Sequence, residues 1–249
     1  MSRESTRPLS AREPFELREG EACVWAVSLD LEEHRLRTLD GVLSPDERER
    51  AGRFVVPLHG IRFVAARGIL RTILSRYAGA EPAEIGFSYG PHGKPRLSAA
   101  FGRYEILFNV SHAADRELVA VTRGCEIGVD IEVIGERPYE AEVARRFFSP
   151  RDERALLSAP QAARAGLFAA LWTRREACLK ASGLGLLFPL ASFDVSGDAR
   201  EPRVIVSDGD AERGARSWTV VDVETVPGFA AACAVEGSGL YVMSREFRL

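Results

Sequence analysis

The feature that most constrains the fold is a pattern of helix and strand signals that occurs twice along the chain. Ser44-Pro45 and, about 105 residues later, Ser149-Pro150 each place an N-cap serine before a proline that suits the first helical position. Acidic residues follow both prolines, as expected for a first helical turn. We therefore predict two similar α+β halves in tandem, residues 21–125 and 126–249, after a flexible segment at residues 1–20.

Each half then continues with a long helix and a group of strands. The first long helix is predicted from Gly60-Ile61 to Ala78-Gly79 and the second from Gly166-Leu167 to Ser182-Gly183, because glycine commonly follows the last residue of a helix. In the first helix, apolar residues at every fourth position predict one buried stripe: Ile61, Ala65, Ile69, Ile73 and Tyr77. The predicted strands are 104–110, 117–123, 126–132, 204–207, 218–223 and 229–235.

The repeated pattern predicts that each long helix packs on a small antiparallel sheet and that a pseudo-twofold axis relates the halves. The interface between such halves would be a natural cleft for a ligand. Chance recurrence of a helix followed by strands is the alternative to a duplication, and one sequence does not decide between them.

Composition excludes several classes of protein. The 249 residues are 46% hydrophobic and carry 33 basic against 36 acidic side chains, which is typical of a globular domain and lacks the basic excess of a general nucleic-acid binder. The longest apolar run, residues 229–235, is far shorter than the ~20 residues of a membrane-spanning helix, and residues 1–20 are too polar for a signal peptide. We therefore expect a cytoplasmic protein with no membrane or nucleic-acid partner.

The segment Glu126–Glu132 alternates apolar and polar residues as a strand does. Asp130 and Glu132 share one face, about 6.6 Å apart along the strand, so their carboxylates could converge on a hard cation such as Mg²⁺. Gly128 beside them would leave room for the close approach of a ligand. The alternative is that both acids lie on the solvent face of an edge strand.

On the second long helix, Glu176 and Lys180 are four residues apart and lie on one face. They could form an ordinary surface ion pair. Alternatively, Glu176 binds the metal and Lys180 a phosphate, a combination that suits a pyrophosphate group.

Two further segments carry groups that could bind phosphate. The stretch Tyr89–Leu97 is dense in Gly and Pro, so we predict a stiff loop that presents Lys94 and Arg96. A solvated turn is the alternative. His112 follows the apolar end of a strand, where it either forms hydrogen bonds near the core or binds an anionic phosphate.

Together and in this order, these segments resemble the 4'-phosphopantetheinyl transferase superfamily, specifically its long pseudo-dimeric, surfactin-synthetase-activating type. The resemblance spans about residues 53–188. The motifs that carry it are Gly93-Lys94-Pro95, Asn109-Val110-Ser111-His112, Gly128-Val129-Asp130-Ile131-Glu132 and the helix Trp172–Gly183. The strand motif followed at this distance by the helix motif is the specific part.

The resemblance implies an enzyme of the holo-[acyl-carrier-protein] synthase type that uses coenzyme A and Mg²⁺ in the cleft between two halves. Such enzymes transfer the 4'-phosphopantetheine arm to a serine of an apo acyl or peptidyl carrier protein and release adenosine 3',5'-bisphosphate. The long tandem type implies a monomer that serves polyketide and nonribosomal peptide biosynthesis.

Carried over by motif position, Asp130, Glu132 and Glu176 would hold Mg²⁺. Coenzyme A would contact Arg53, Arg62, Lys94, Pro95, Ser111, His112, Asp130 and Lys180. The base that takes the serine proton would be Glu176 or a metal-bound water, with Asp152 behind them. Many relatives have Lys where this chain has Arg175, and Glu where it has Asp152. Glu153 lies beside Asp152 and is the alternative acid at this position, and Asp152 as the third residue of a helix also has a structural explanation.

Two other functions are alternatives to the transferase. A catalytically silent coenzyme A or nucleotide-binding module would be expected to lose at least one of Asp130, Glu132, Glu176 and Lys180, and all four are present. A Mg²⁺-dependent phosphohydrolase would need a positioned water and more histidines or carboxylates than a chain with four histidines offers. We therefore expect the transferase.

Overall fold

The computed structural model describes residues 14–90, 92–135, 139–185, 190–196, 204–207, 215–238 and 240–249. The chain forms two compact units. The first is helical and contains Leu31–Ile85 with the described residues before Leu17 and the last two residues. The second contains Leu17–Asp30 and Gly86–Phe247.

The first unit consists of helices α1 (Glu33–Asp40), α2 (Pro45–Gly52) and α3 (Pro57–Ala78). The predicted start of α2 is confirmed, because Ser44 and Glu47 form a capping box around it. α3 ends where predicted, at Gly79 with a left-handed φ of 60°, but begins earlier than predicted because Pro57 occupies its first turn.

Four residues of the predicted stripe on α3 are buried, whereas Ile61 is 45% exposed and was wrongly included.

Ion pairs also hold this unit together. Glu47 is buried and accepts hydrogen bonds from Arg67 Nε at 2.6 Å and Arg71 Nε at 2.7 Å. These contacts join α2 to α3.

The second unit contains all of the described strands and three helices. Its elements are β1 (Glu21–Ser28), β2 (Phe87–Tyr89), β3 (Pro95–Leu97), β4 (Ile106–Ala113), β5 (Arg116–Arg123), β6 (Ile127–Val133), α4 (Glu140–Phe147), α5 (Pro150–Ser158), α6 (Gln161–Ser182), β7 (Val204–Ser207), β8 (Ala215–Asp222), β9 (Phe229–Glu236) and β10 (Tyr241–Glu246). α5 begins after Ser149, as predicted, and α6 ends before Gly183, as predicted, although α6 begins before Gly166.

The strands form two four-stranded sheets, ordered β10-β1-β5-β4 and β6-β9-β8-β7, and a β2-β3 hairpin. In each sheet the strand that precedes the helices, β1 or β6, pairs antiparallel with the last strand before the chain leaves that sheet, β5 or β9. β10 instead returns to pair parallel with β1. The α+β class is therefore confirmed, while the pseudo-twofold, the cleft between halves and the division at residue 125 stay predictions.

Helix α6 packs closely on β6, and Gly128 makes this possible. A Cβ atom at Gly128 would lie 2.1 Å from the carbonyl oxygen of Ala177 and 2.4 Å from the nitrogen of Ala181. The expectation that Gly128 leaves room for a ligand is therefore wrong, because the backbone of α6 fills that space. No helix within the described part of the chain is long and apolar enough to cross a membrane.

Candidate active site

Asp130 on β6 is the centre of a buried polar network. Asp130 is only 4% exposed, so the alternative that it lies on the solvent face of an edge strand is wrong. Its Oδ1 accepts hydrogen bonds from Ser111 Oγ at 2.9 Å and from Lys180 Nζ at 2.7 Å. Its Oδ2 is buried and has no hydrogen-bond partner among the described residues. Burial raises the pKa of Asp130, although the charge of Lys180 acts in the opposite direction.

Lys180 reaches from α6 to β6 rather than along its own helix. Its Nζ also donates to the Ser111 hydroxyl at 2.9 Å and to the Val129 carbonyl oxygen at 3.2 Å. The alternative of a Glu176–Lys180 surface ion pair is not observed. Among the described residues, Glu176 has no hydrogen bond or ion pair with another side chain, and it is half-buried.

Three carboxylates influence one another at this place. Burial raises the pKa of Glu176 and the negative charges of Asp130 and Glu132 raise it further, although the charge of Lys180 acts in the opposite direction. Glu132, at the end of β6, is half-buried. Side chains that repel one another in this way favour either a proton or a bound cation between them.

The residues fit a divalent cation, although they do not form a preformed metal cage. No group of three or more His, Cys, Asp or Glu side chains in the described ranges is arranged to hold a metal ion. The unpartnered Oδ2 of Asp130, with the carboxylates of Glu132 and Glu176 near enough to affect each other, is nevertheless the all-oxygen set that Mg²⁺ prefers.

Side chains of β4 hold β6 in register at the site. Asn109 Oδ1 accepts a hydrogen bond from the Val129 amide at 3.0 Å, and Ser111 Oγ accepts one from the Ile131 amide at 3.3 Å. These two bonds replace a backbone ladder along this edge of β6 and place Ser111 beside Asp130. The role of Asn109 was missed in the sequence, where the alternation of polar residues at 109 and 111 was the available signal.

Lys94 lies at the tip of the β2–β3 hairpin, where Pro95 begins β3. Its Nζ donates to Glu126 Oε2 at 2.8 Å and to the Ala181 carbonyl oxygen, near the end of α6, at 3.0 Å. Its side chain is only 13% exposed, so the alternative that Lys94 projects from a solvated turn is wrong. The structure therefore brings Lys94 to α6 but not into the hydrogen bonds around Asp130. His112, at the end of β4, is exposed and lies opposite Glu117 on β5.

Asp152 is fully buried and has partners for both carboxylate oxygens. Its Oδ1 accepts from the Ser196 amide at 3.0 Å, and its Oδ2 accepts from the Val195 amide at 2.8 Å and from Arg175. Burial would raise the pKa of Asp152, but these hydrogen bonds lower it. Arg175 is also fully buried, with its guanidinium over the Phe148 ring. A carboxylate in this setting is a structural ion pair, and the geometry gives no support to Asp152 as a base.

Arg53 and Arg62 belong to the helical unit. Arg53 follows the last residue of α2 and pairs with Glu49, and Arg62 lies in the first turns of α3. Their predicted contacts with coenzyme A stay predictions.

Comparison with known proteins agrees with the resemblance in the sequence. A sequence profile of the 4'-phosphopantetheinyl transferase superfamily matches residues 126–234, which include β6 and α6. The chain is 36% identical over 219 residues to the 4'-phosphopantetheinyl transferase HetI of Nostoc sp. strain PCC 7120, covering 88% of this chain and 89% of that protein.

Two more distant relatives carry the same enzyme name. They are the 4'-phosphopantetheinyl transferase Sfp of Bacillus subtilis strain 168, 31% identical over 61% of this chain and 66% of that protein, and Gsp of Aneurinibacillus migulanus, 24% identical over 82% and 81%. The chain belongs to the 4'-phosphopantetheinyl transferase superfamily, a class of enzymes that transfer the phosphopantetheine arm of coenzyme A.

Proposed function

We propose that this protein transfers 4'-phosphopantetheine from coenzyme A to a serine of an apo acyl or peptidyl carrier protein. The serine oxygen forms a bond to the β-phosphorus of coenzyme A, and the bond from that phosphorus to the bridging oxygen of the pyrophosphate breaks. Adenosine 3',5'-bisphosphate leaves. The observation that carries the proposal is the buried Asp130 carboxylate, which Ser111 and Lys180 fix through one oxygen while the other has no partner among the described residues.

Asp130, Glu132 and Glu176 would hold Mg²⁺. When bound, the cation would neutralise negative charge on the pyrophosphate and so favour its attack by an oxygen nucleophile. The burial of Asp130 supports this role, because the attraction between its unpartnered Oδ2 and a cation is stronger in a buried site than in bulk water.

Glu176 is the residue that best suits the removal of the serine proton. Its raised pKa makes it a stronger base than an ordinary glutamate, and no described residue competes for its oxygens by an ion pair. Glu176 cannot easily be a tight metal ligand and a free base at the same time, so we assign the main metal contacts to Asp130 and Glu132. Asp152 is no longer part of the proposed catalytic set.

The remaining proposed contacts bind coenzyme A by charge. Lys180 can transfer its one hydrogen bond from Asp130 to a phosphate when a cation takes over the Asp130 charge, while its other two ammonium protons stay on Ser111 and the Val129 carbonyl oxygen. Lys94, Pro95, Ser111 and His112 line the hairpin and the end of β4, and Arg53 and Arg62 would contact the nucleotide. All of these are proposals from the motif positions.

The test is direct. The purified protein is mixed with Mg²⁺, coenzyme A and apo carrier domains from fatty-acid, polyketide and peptide synthetases, and each carrier is weighed by mass spectrometry. A gain of one phosphopantetheine on the carrier serine, absent when that serine is replaced by alanine, is the expected result. Coenzyme A that is consumed without any carrier gaining mass would contradict the proposal.

We further propose that the enzyme acts as a cytoplasmic monomer on carriers of polyketide and nonribosomal peptide synthesis. The tandem length of the chain supports the monomer. Light scattering that gives twice the chain mass of 27.3 kDa would contradict it.

A further inference from the structure

A second ionic cluster lies at the tip of the β2–β3 hairpin, outside the Asp130 network. Glu126, the residue before β6, accepts a hydrogen bond from Lys94 through Oε2 at 2.8 Å and one from Arg96 through Oε1. Lys94 also donates to the Ala181 carbonyl oxygen at 3.0 Å. Glu126 thus connects the start of β6 to the hairpin, and Lys94 connects the hairpin to the end of α6.

Both cations of this cluster are of the kind that binds phosphate. Lys94 uses two of its three ammonium protons, so it can donate one more hydrogen bond. The Arg96 side chain is 48% exposed, so a ligand can reach its guanidinium from solvent. Carboxylate and phosphate oxygens accept hydrogen bonds from the same donors, and the charge of Glu126 occupies the place that an anionic ligand would take.

We propose that Glu126 is an internal competitor for a phosphate group of coenzyme A at Lys94 and Arg96. The proposal rests on the proposed function, because that function makes Lys94 a coenzyme A ligand. On binding, phosphate oxygens replace one or both Glu126 oxygens on the two cations. Glu126 takes the cations back when adenosine 3',5'-bisphosphate leaves, so it lowers the affinity for substrate and product alike and favours turnover.

If Glu126 has a different role, removal of its charge should change the affinity for coenzyme A in the opposite direction or not at all. If Glu126 only braces Lys94 in a productive position, removal of its charge would release the lysine and weaken coenzyme A binding. If neither cation contacts phosphate, removal of the charge would leave the affinity unchanged. The direction of the change therefore separates the three roles.

The experiment uses Glu126→Gln, which keeps the size of the side chain and removes its charge. Calorimetric titration in Mg²⁺ should show dissociation constants for coenzyme A and for adenosine 3',5'-bisphosphate that fall by about tenfold, the equivalent of one charge-assisted hydrogen bond. Glu33→Gln is the matched control, because it breaks the exposed Glu33–Arg37 pair on α1 and changes the net charge equally. It should leave both constants unchanged.

Two further variants sharpen the result. Lys94→Ala in the Glu126→Gln background should abolish the gain. Glu126→Asp, which is one methylene shorter and cannot hold both cations, should tighten binding in the same direction and provides a second measurement if Glu126→Gln does not fold.

A parent enzyme that modifies a carrier, with a folded Glu126→Gln variant that binds coenzyme A equally or more weakly, would overturn the inference and leave the proposed function standing. A parent protein that binds no coenzyme A would overturn both.

Discussion

Two buried aspartates interact with basic side chains of α6, and they differ in whether both oxygens of the carboxylate have hydrogen-bond partners. Asp152 is paired with Arg175, and both of its carboxylate oxygens accept hydrogen bonds, so the pKa of Asp152 is lowered despite its burial. Asp130 is paired with Lys180, but its Oδ2 has no partner among the described residues and the pKa of Asp130 is raised. An open carboxylate oxygen, and not burial or ion pairing as such, is therefore what distinguishes the proposed cation-binding aspartate from the structural one.

The largest effect that we predict on stability is at Asp152. Asp152→Asn leaves the fully buried Arg175 guanidinium without its counter-charge, so the free energy of unfolding should fall by about 3–5 kcal/mol. Chemical denaturation measures this. The neighbouring Glu153→Gln is the control, because the Glu153–Arg145 pair is partly exposed and should contribute under about 1 kcal/mol. An Asp152→Asn protein of unchanged stability that no longer modifies carriers would instead make Asp152 catalytic.

At Asp130 we expect the reverse pattern. Asp130→Asn should lower the transfer rate at least about hundredfold, because the charge that would hold the cation is lost. The free energy of unfolding should change by less than about 1 kcal/mol, because the Lys180 side chain is 27% exposed, unlike the fully buried Arg175, and burial already disfavours the charged form of Asp130. Asp222→Asn is the matched control, as Asp222 pairs with Arg174 of the same helix at 2.6 Å but is 43% exposed. That variant should retain its transfer rate.

A smaller effect should follow from disturbing the contact between β6 and α6, the helix that carries both Arg175 and Lys180. Gly128→Ala forces a methyl group into the backbone of α6, so we expect a loss of about 1–3 kcal/mol in unfolding free energy and a lower transfer rate. Gly166→Ala is the control within α6, because a Cβ there meets no atom within 4 Å and helical propensity should add about 0.5–1 kcal/mol. Equal stability of the two variants would mean that α6 does not depend on its close contact with β6.

The smallest effect should appear in the pH dependence of stability. The pKa of Asp152 is lower in the folded chain than its ordinary value of 3.8, so the Asp152–Arg175 pair stabilises the fold above that pH. This contribution is lost as the pH falls toward the folded-state pKa. The difference in unfolding free energy between the parent and Asp152→Asn should therefore be constant from pH 7 to 5 and shrink below about pH 4. A difference that grows on acidification would contradict the assignment.

Local signals made a large part of the fold predictable. Ser44 and Ser149 begin helices because their N-cap chemistry acts within a few residues, and Gly79 and Gly183 end helices because both take a left-handed φ. The alternation around Asp130 correctly predicted that Ile127, Val129 and Ile131 share a buried face. Each of these features depends on neighbours in sequence.

Choices between distant partners were not predictable from the sequence. Lys180 pairs with Asp130 rather than with Glu176 on its own helix, and Lys94 pairs with Glu126, because tertiary packing brings them together. Arg175 likewise selects Asp152. The parallel pairing of β10 with β1 spans nearly the whole chain, and no local pattern indicates it. Sequence motifs therefore named the residues of the candidate site, whereas the structure was needed to show which of their side chains pair with one another.

The most direct test of this division is the effect of Mg²⁺ on coenzyme A affinity in three proteins: the parent, Asp130→Asn and Asp152→Asn. Calorimetric titrations are made with Mg²⁺ and with excess chelator, at a temperature where each protein is folded. We predict that Mg²⁺ tightens coenzyme A binding in the parent and in Asp152→Asn but not in Asp130→Asn. Tightening by Mg²⁺ that persists in Asp130→Asn, or that is lost in folded Asp152→Asn, would contradict the account.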